Sequence, residues 1–374
     1  MIPLRNVVIV LLLFPAPASV AASSAPTTAL QAQTPPGKLT PADAVSVESR
    51  LRQAVRRNPR SFEARRALAV FYLQRGRFDA ALPHLRSGQD IEPANYPNSY
   101  DLARALLETG SLDEAREQVG RVLKVKDTGE LHHLLGDIED RAGQLLVAAE
   151  EYQTAAHMDA TEEHLFDWGN NLVQLRAFEQ AAQVFHAGLE RYPKSARIHV
   201  GLGIAQYSQG QYEDAIKSFC EAVDLTPSDP RPYQFLGEMY GVAPELAPDI
   251  TRRLARFVAA RPRNAMGHLF YALSLWKGQP AAVEPPDLKQ VEALLRRAVA
   301  LDPRLAKGYL ELGILLSDQQ RFAEAVSPLR RATLLDPAQA QAHYRLAQAY
   351  QRTGQAALAA AELRLFEQLK SDSR

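Results

Sequence analysis

The sequence predicts an all-α protein built as a row of antiparallel helix pairs, and three recurrent features predict it. First, prolines return at intervals of 34 residues, as in the steps Pro59 to Pro93, Pro193 to Pro227 and Pro303 to Pro337. Second, a large residue followed by a small one occupies one phase of nine successive segments. Third, an alanine follows later in seven of them, with a large apolar residue four positions on. A fixed period of this length indicates a repeat architecture.

The first helix of each predicted pair contains the large–small step. The steps are Leu68-Ala69, Leu102-Ala103, Leu135-Gly136, Trp168-Gly169, Leu202-Gly203, Leu236-Gly237, Tyr271-Ala272, Leu312-Gly313 and Leu346-Ala347. A small residue at a helix crossing lets two helix axes approach closely, while the large residue fills the next groove. The step therefore predicts where the two helices of each pair cross.

The second helix is predicted from apolar residues at helical spacing, such as Ala215, Phe219 and Ala222. A proline then follows, and it ends the helix because it cannot donate to the hydrogen-bond ladder. Between the helices, a turn with positive φ is expected at a recurrent glycine. These turn glycines are Gly76, Gly110, Gly143, Gly210 and Gly354.

The pattern resembles the tetratricopeptide repeat over roughly residues 42–371. The repeat 196–229 shows it most fully, with Leu202, Gly203, Gly210, Tyr212, Ala215, Phe219, Ala222 and Pro227. The resemblance implies a right-handed superhelical solenoid across 41–374, with about nine repeats after an N-terminal half repeat. The predicted repeats are 62–95, 96–128, 129–161, 162–195, 196–229, 230–264, 265–305, 306–339 and 340–371.

Three repeats depart from the pattern. The sixth has Pro244 and Pro248 between its helices and Ile250 in place of the usual alanine, which predicts a shifted connection. The seventh has about seven surplus residues within 279–286, which predict a proline-stiffened surface loop. The third has Glu139 where an aromatic residue or leucine is expected, which predicts a locally weaker helix.

The N-terminal residues are predicted to be an export signal followed by a linker. Residues 1–22 contain Arg5, an apolar run from Val7 to Phe14 and small residues before Ser23. This order is typical of a secretory signal peptide, and no cysteine is present nearby for a lipid anchor. Residues 23–40 are rich in Pro, Ala, Thr and Gln, which predicts a flexible linker. We therefore expect a periplasmic or secreted bacterial protein. The alternatives are an uncleaved membrane anchor and an apolar N-terminus with no targeting role.

Composition argues against several function classes. The 374 residues contain 43 Lys+Arg and 43 Asp+Glu, and this balance gives no steering of nucleic acid. Cys220 is the one cysteine, so no disulfide framework or C-x-x-C metal motif exists. No catalytic or phosphate-binding motif was found. His132, His199, His268 and His343 share the fourth position of their repeats, which favours a packing role. We expect no enzymatic activity, metal or cofactor.

The resemblance implies that first helices line a concave groove that binds a protein or peptide partner. Repeats five to eight place mostly apolar residues at the implied inner positions, whereas the earlier repeats place polar ones there. The candidate partner-binding residues are Val200, Ile204, Tyr207, Leu269, Leu273, Trp276, Leu310 and Ile314. The alternative is that these side chains pack between neighbouring first helices. Trp276 is the strongest candidate because tryptophan is enriched among interface hot spots.

Three functions remain open from the sequence. The favoured one is an exported, non-catalytic scaffold or adaptor that binds protein or peptide partners. The second is an assembly factor for envelope polysaccharide export or cytochrome maturation. The third is the regulatory part of an enzyme whose catalytic domain lies on another chain. The family's carboxylate-clamp pattern is not reproduced, because Asn170 is preceded by Phe166 at the position of the basic residue.

Overall fold

The computed structural model describes residues 41–278 and 286–372. The predicted signal peptide and linker, and the loop 279–286 apart from Pro286, lie outside these residues. The described part of the chain is α-helical and contains no strand. None of its helices is long and apolar enough to cross a lipid bilayer. The chain divides after Ala177 into two compact units, unit 1 and unit 2.

Unit 1 ends at Ala177, and its described part contains eight helices. They are α1 (Pro41–Arg57), α2 (Phe62–Leu73), α3 (Phe78–Ile91), α4 (Tyr96–Glu108), α5 (Leu112–Leu123), α6 (Gly129–Arg141), α7 (Leu145–Met158) and α8 (Glu162–Gln174). Leu68, Leu85, Leu131 and Ile138 are among its fully buried core residues. Each helix packs against its sequence neighbour, and a continuous apolar core extends from α2 to α6, with partly buried residues of α1 packed against it.

Unit 2 begins at Phe178, and its described part contains eleven helices. They are α9 (Phe178–Arg191), α10 (Ala196–Ser208), α11 (Tyr212–Leu225), α12 (Arg231–Glu238), α13 (Ala247–Ala260), α14 (Ala265–Lys277), α15 (Leu288–Leu301), α16 (Ala306–Asp318), α17 (Phe322–Leu335), α18 (Ala340–Arg352) and α19 (Ala356–Asp372). Phe219, Leu254, Leu295 and Leu329 are buried on its second helices.

The helix order confirms the predicted all-α repeat fold. Helix α1 is the half repeat, and the eighteen helices that follow correspond to the nine predicted pairs. The small residues Gly136, Gly203 and Gly313 lie where first and second helices cross, as predicted, whereas Gly237 lies against Phe270 of α14. A Cβ added to Gly203 would lie 2.7 Å from a ring carbon of Phe219, and one added to Gly313 would lie 2.4 Å from Cγ of Leu329. These glycines therefore allow the close approach of first and second helices.

The turns between the helices adopt the predicted left-handed backbone. All five turn glycines have positive φ, between 65° and 79°. Two repeats reach the same conformation without glycine, since Arg176 has φ 60° and Gln320 has φ 62°. A left-handed residue with a side chain is strained. The repeat geometry therefore imposes this turn even where the sequence lacks the residue suited to it.

The departures from the repeat pattern have distinct structural outcomes. In the sixth repeat the first helix, α12, is only eight residues long, and a 3₁₀ turn at Pro244–Leu246 leads into α13. Ile250 is fully buried there in place of the usual alanine. In the third repeat, Glu139 is buried and accepts two hydrogen bonds from Arg116 of α5, at 2.6 and 3.0 Å. Glu139 thus replaces an apolar contact with an ion pair.

Candidate functional site

The eight predicted partner-binding residues fall into two groups in unit 2. Five are buried, with at most 4% of their surface exposed, in the cores between helices: Val200, Leu269, Leu273, Leu310 and Ile314. Ile204, Tyr207 and Trp276 are only partly buried, at the margins of these cores. The two alternatives from the sequence thus apply to different residues. The buried five pack between helices, and the other three keep exposed surface.

Tyr207 lies at the C-terminal end of α10 within an aromatic cluster. Its ring contacts Tyr212 at 5.4 Å and Phe235 at 6.1 Å, both edge to face. Phe235 stacks in turn on Phe219, with the ring centroids 4.6 Å apart. Burial, with a contribution from the carboxylate of Glu238, raises the pKa of the Tyr207 hydroxyl above its usual value. This hydroxyl therefore stays protonated and can donate a hydrogen bond at neutral pH.

Trp276 lies in the last turn of α14 beside charged side chains. The Lys277 ammonium lies 4.6 Å from the centroid of the Trp276 ring, within cation–π range. The same ammonium forms an ion pair with Glu311 of α16, whose side chain is 11% exposed. Lys277 thereby links the indole to the neighbouring first helix. These contacts hold the indole and the ammonium in place.

A second cation of α16 extends this surface toward α12. Lys307 lies 3.7 Å from a carboxylate oxygen of Glu238 and 5.8 Å from the ring centroid of Phe270. Burial, with contributions from the carboxylates of Glu311 and Glu238, raises the pKa of Tyr240 to about 12. We call Tyr207, Glu238, Trp276, Lys277 and Lys307 the first-helix face of unit 2.

The first helices of unit 1 are polar, as the sequence predicted, and their charges are paired. Arg66 of α2 binds Asp101 of α4 at 2.6 Å, and His133 of α6 binds Asp167 of α8 at 2.9 Å. Arg104 also reaches Asp101, at 3.5 Å. The Arg66–Asp101 and His133–Asp167 pairs connect successive first helices, whereas Arg104 and Asp101 both lie on α4. Ion pairing between neighbouring helices therefore explains the charges of this face without a bound ligand.

The environment of His133 favours the charged imidazolium. Burial alone would lower its pKa, but Asp137 and Asp167 outweigh burial and raise the pKa to about 9. The ring also lies 4.9 Å from that of His164 and 5.5 Å from that of Tyr152. Tyr152 donates a 2.9 Å hydrogen bond to Asp137. The site is therefore a packed ion-pair cluster.

Sequence reasoning missed these charge pairs, although a signal for them was present. Opposite charges recur 34 residues apart on neighbouring first helices, as in His133 with Asp167 and Lys277 with Glu311. This separation is about one repeat for the first pair and is shorter than the extended seventh repeat for the second. Residues one repeat apart occupy equivalent positions on adjacent first helices. A search for opposite charges at that separation would have found both pairs.

The fourth-position histidines bind backbone and carboxylate oxygens. Nε2 of His268 and of His343 each lies 3.1 Å from the carbonyl of the proline six residues earlier, as does Nε2 of His199. His132 lies instead between Asp127 and Glu151, at 2.9 and 2.6 Å. Among the described residues, no group of three or more His, Cys, Asp or Glu side chains could hold a metal ion. These contacts join the first turns of the first helices to the segments that precede them and, for His132, to the following second helix.

Cys220 lies on α11 and is 93% buried, since only 7% of its surface is exposed. Burial raises the pKa of its thiol to about 11. The thiolate is the nucleophilic form of cysteine, and a raised pKa keeps it scarce at neutral pH. Cys220 is therefore a buried packing residue whose thiol is a weak nucleophile at neutral pH.

Solved structures with a similar arrangement of helices include two that are described as tetratricopeptide repeat proteins. YrrB, described as having an unusual peptide-binding site, is 18% identical over 49% of this chain and 96% of its own, with a TM-score of 0.41. A tetratricopeptide repeat protein from Parabacteroides merdae is 18% identical over 77% of this chain and 98% of its own, with a TM-score of 0.44. A chain of the Cut9–Hcn1 assembly of the APC/C is 15% identical over 86% of this chain and 55% of its own, with a TM-score of 0.40.

No curated protein matches the sequence. Two sequence models described as tetratricopeptide repeat do match it, one over residues 166–230 and 310–373 and the other over 72–138. Together they cover just over half of the chain. The matched segments contain six of the nine large–small steps, four of the five turn glycines, and the crossings at Gly203 and Gly313. The chain therefore belongs to the tetratricopeptide repeat family, whose fold is typical of protein-interaction scaffolds.

Proposed function

We propose that this protein is an exported, non-catalytic scaffold that binds a protein or peptide segment on the first-helix face of unit 2. One observation supports this most directly. Tyr207 and Trp276 are large aromatic side chains that remain partly exposed at the ends of first helices, above fully buried cores. Aromatic residues of this kind dominate the energetics of protein interfaces.

The packing beneath these residues favours binding. The five buried residues identified by the sequence hold α10, α14 and α16 in place, so the aromatic rings are supported by rigid helices. Lys277 is fixed between Trp276 and Glu311. A surface that is ordered before binding loses less conformational entropy when a partner docks. A bound segment would pack its apolar side chains on the rings and pair its charges with Lys277, Lys307 and Glu238.

The export part of the proposal rests on residues 1–22 alone. Their basic, apolar and small-residue segments follow the order of a secretory signal. N-terminal sequencing of protein expressed in a bacterial host tests this, and we expect the mature chain to start near Ala22 or Ser23. An intact Met1 in the membrane fraction would show a retained anchor instead.

The binding part is tested with peptides selected from a random library on the wild-type chain. We expect selected peptides to bind at least tenfold more weakly to Trp276→Ala and to Tyr207→Ala. The matched control is Leu146→Ala, which removes a side chain that is 71% exposed on a second helix of unit 1. The proposal fails if no peptide is enriched, or if the selected peptides bind all three variants as they bind wild type.

The interpretation of Trp276→Ala requires a folding control, because the indole packs partly on the core. Circular dichroism should show unchanged helix content, and the melting midpoint should stay close to that of the wild type. An early-melting variant would assign Trp276 to the core, and Tyr207→Ala would then decide the proposal.

A further inference from the structure

A groove separate from the first-helix face lies between the second helices α15 and α17. Its volume is about 670 Å³, within the range of sites that bind ligands. Tyr309, Leu312 and Leu316 of α16 form its floor. Leu312 and Leu316 are almost fully buried, so the floor is a firm apolar surface that α15 and α17 flank.

The α17 wall presents one continuous helical stripe to the groove. Glu324, Ser327, Arg331 and Leu334 recur there at intervals of three or four residues, with Pro328 next to Ser327. At 1.5 Å per residue the stripe is about 15 Å long, or nearly three helical turns. A trough of this length between two helices matches the side of a third helix.

Leu334 is unusual for its position. It is 66% exposed, and it lies three residues before the proline that ends its repeat. The same position is acidic in three other repeats, with Asp90, Glu190 and Asp224. An exposed leucine where other repeats have carboxylates provides an apolar contact beside the groove.

The rim of the groove is basic. Arg330 and Arg331 are exposed and form no ion pair with any residue of the described chain. Arg331 donates only to the carbonyl of Pro303, at 3.3 Å. Arg296, on the opposite wall, is already paired with Glu292 at 2.8 Å and lies 3.8 Å from Glu324. The two uncompensated guanidinium groups next to Leu334 favour a ligand with carboxylates beside apolar groups.

We propose that the α15–α17 groove binds an acidic amphipathic helix of a partner protein. Leucine-type side chains of that helix pack on the apolar groove residues that keep exposed surface, Val299, Tyr309 and Leu334. Flanking carboxylates pair with Arg330 and Arg331. The open, charged rim favours a helix over an acyl chain, since an acyl chain would stay in contact with water along its length. This surface is independent of the first-helix face.

The test uses the full-length chain and two labelled helical peptides. Both have leucines at positions i, i+3, i+4 and i+7; one has glutamates on the flanking positions and its twin has lysines. Fluorescence anisotropy should show binding of the acidic peptide that weakens with added salt, and no binding of the basic twin.

Two variants locate the binding. Leu334→Asp introduces the residue type found at the aligned positions, and Arg330→Glu/Arg331→Glu reverses the rim charge. Because all three side chains are exposed, both variants should keep the wild-type melting midpoint. Each should weaken binding of the acidic peptide at least tenfold. The control Leu146→Asp, at an equally exposed leucine of α7, should not change it.

Several outcomes would overturn the proposal. Binding of neither peptide, equal binding of both, or acidic-peptide binding that both variants leave unchanged would each do so. Self-association that Leu334→Asp abolishes, seen by light scattering, would assign the groove to a second copy of the chain. Retention on anionic vesicles without peptide binding would assign it to a membrane surface.

Discussion

Gly203 of α10 lies directly against the ring of Phe219 of α11. A Cβ at Gly203 would fall 2.7 Å from the nearest ring carbon, a distance that real side chains do not reach. Gly313 and Leu329 repeat the relationship in the eighth repeat, at 2.4 Å. The small residue of the large–small step is therefore a steric requirement of the helix crossing.

Gly203→Leu and Gly313→Leu should each destabilise the protein by about 2–4 kcal/mol, because the added side chain overpacks the crossing. Urea denaturation followed by circular dichroism measures the free energy of unfolding. Gly120 provides the control, since it lies within α5 and a Cβ there would meet nothing within 4 Å. Gly120→Leu should leave the stability unchanged or raise it slightly. Equal losses in all three variants would contradict the assigned crossings.

Arg176→Gly and Gln320→Gly should stabilise the protein by about 0.5–1.5 kcal/mol each. Both residues adopt positive φ at exposed turns, where a side chain costs energy and glycine does not. Thermal melting measures the gain. The reciprocal change Gly354→Gln places a side chain at the equivalent turn, where φ is 79°, and should cost a similar amount. A loss of stability on introducing glycine would show that the turn is not strained.

Arg116→Met should destabilise the protein by about 1–3 kcal/mol, since it leaves the carboxylate of Glu139 buried without its ion-pair partner. The double variant Arg116→Met/Glu139→Leu should recover most of this loss, because leucine is the residue type that the repeat pattern favours there. Chemical denaturation of the two variants and of Glu139→Leu completes a double-mutant cycle. Additive effects of the two substitutions would show that the pair is not coupled.

The contribution of His133 to stability should depend on pH. Its pKa in the folded protein, about 9, lies above the unfolded value of 6.5. The stabilisation is therefore largest near pH 6.5 and is lost as the pH rises through 9. Below about pH 6 it weakens again, because burial raises the pKa of Asp137 to about 6 and the partner carboxylate is then protonated. His133→Asn should lower the melting midpoint by several degrees at pH 6.5 and by much less at pH 9.5. His186→Asn, at an exposed histidine of α9, is the control and should have little effect at either pH.

The sequence by itself determined the repeat period, the order of the helices and the position of their turns. These features depend on local patterns: Ala215, Phe219 and Ala222 lie on one helical face, and Gly210 suits the turn before them. Side-chain spacing and backbone preference act within a few residues. The nine helix pairs and the half repeat could therefore be counted before any coordinates were known.

Only the tertiary structure decided what each inner-face residue does. Leu269 and Trp276 occupy the same helix and both match the inner-face pattern, yet Leu269 is fully buried and Trp276 keeps exposed surface. The pairing of Lys277 with Glu311 and the positive φ of Arg176 were likewise not foreseen. Burial and ion pairing depend on neighbours about 34 residues away, whose distance is set by helix packing, and a local pattern does not contain that distance.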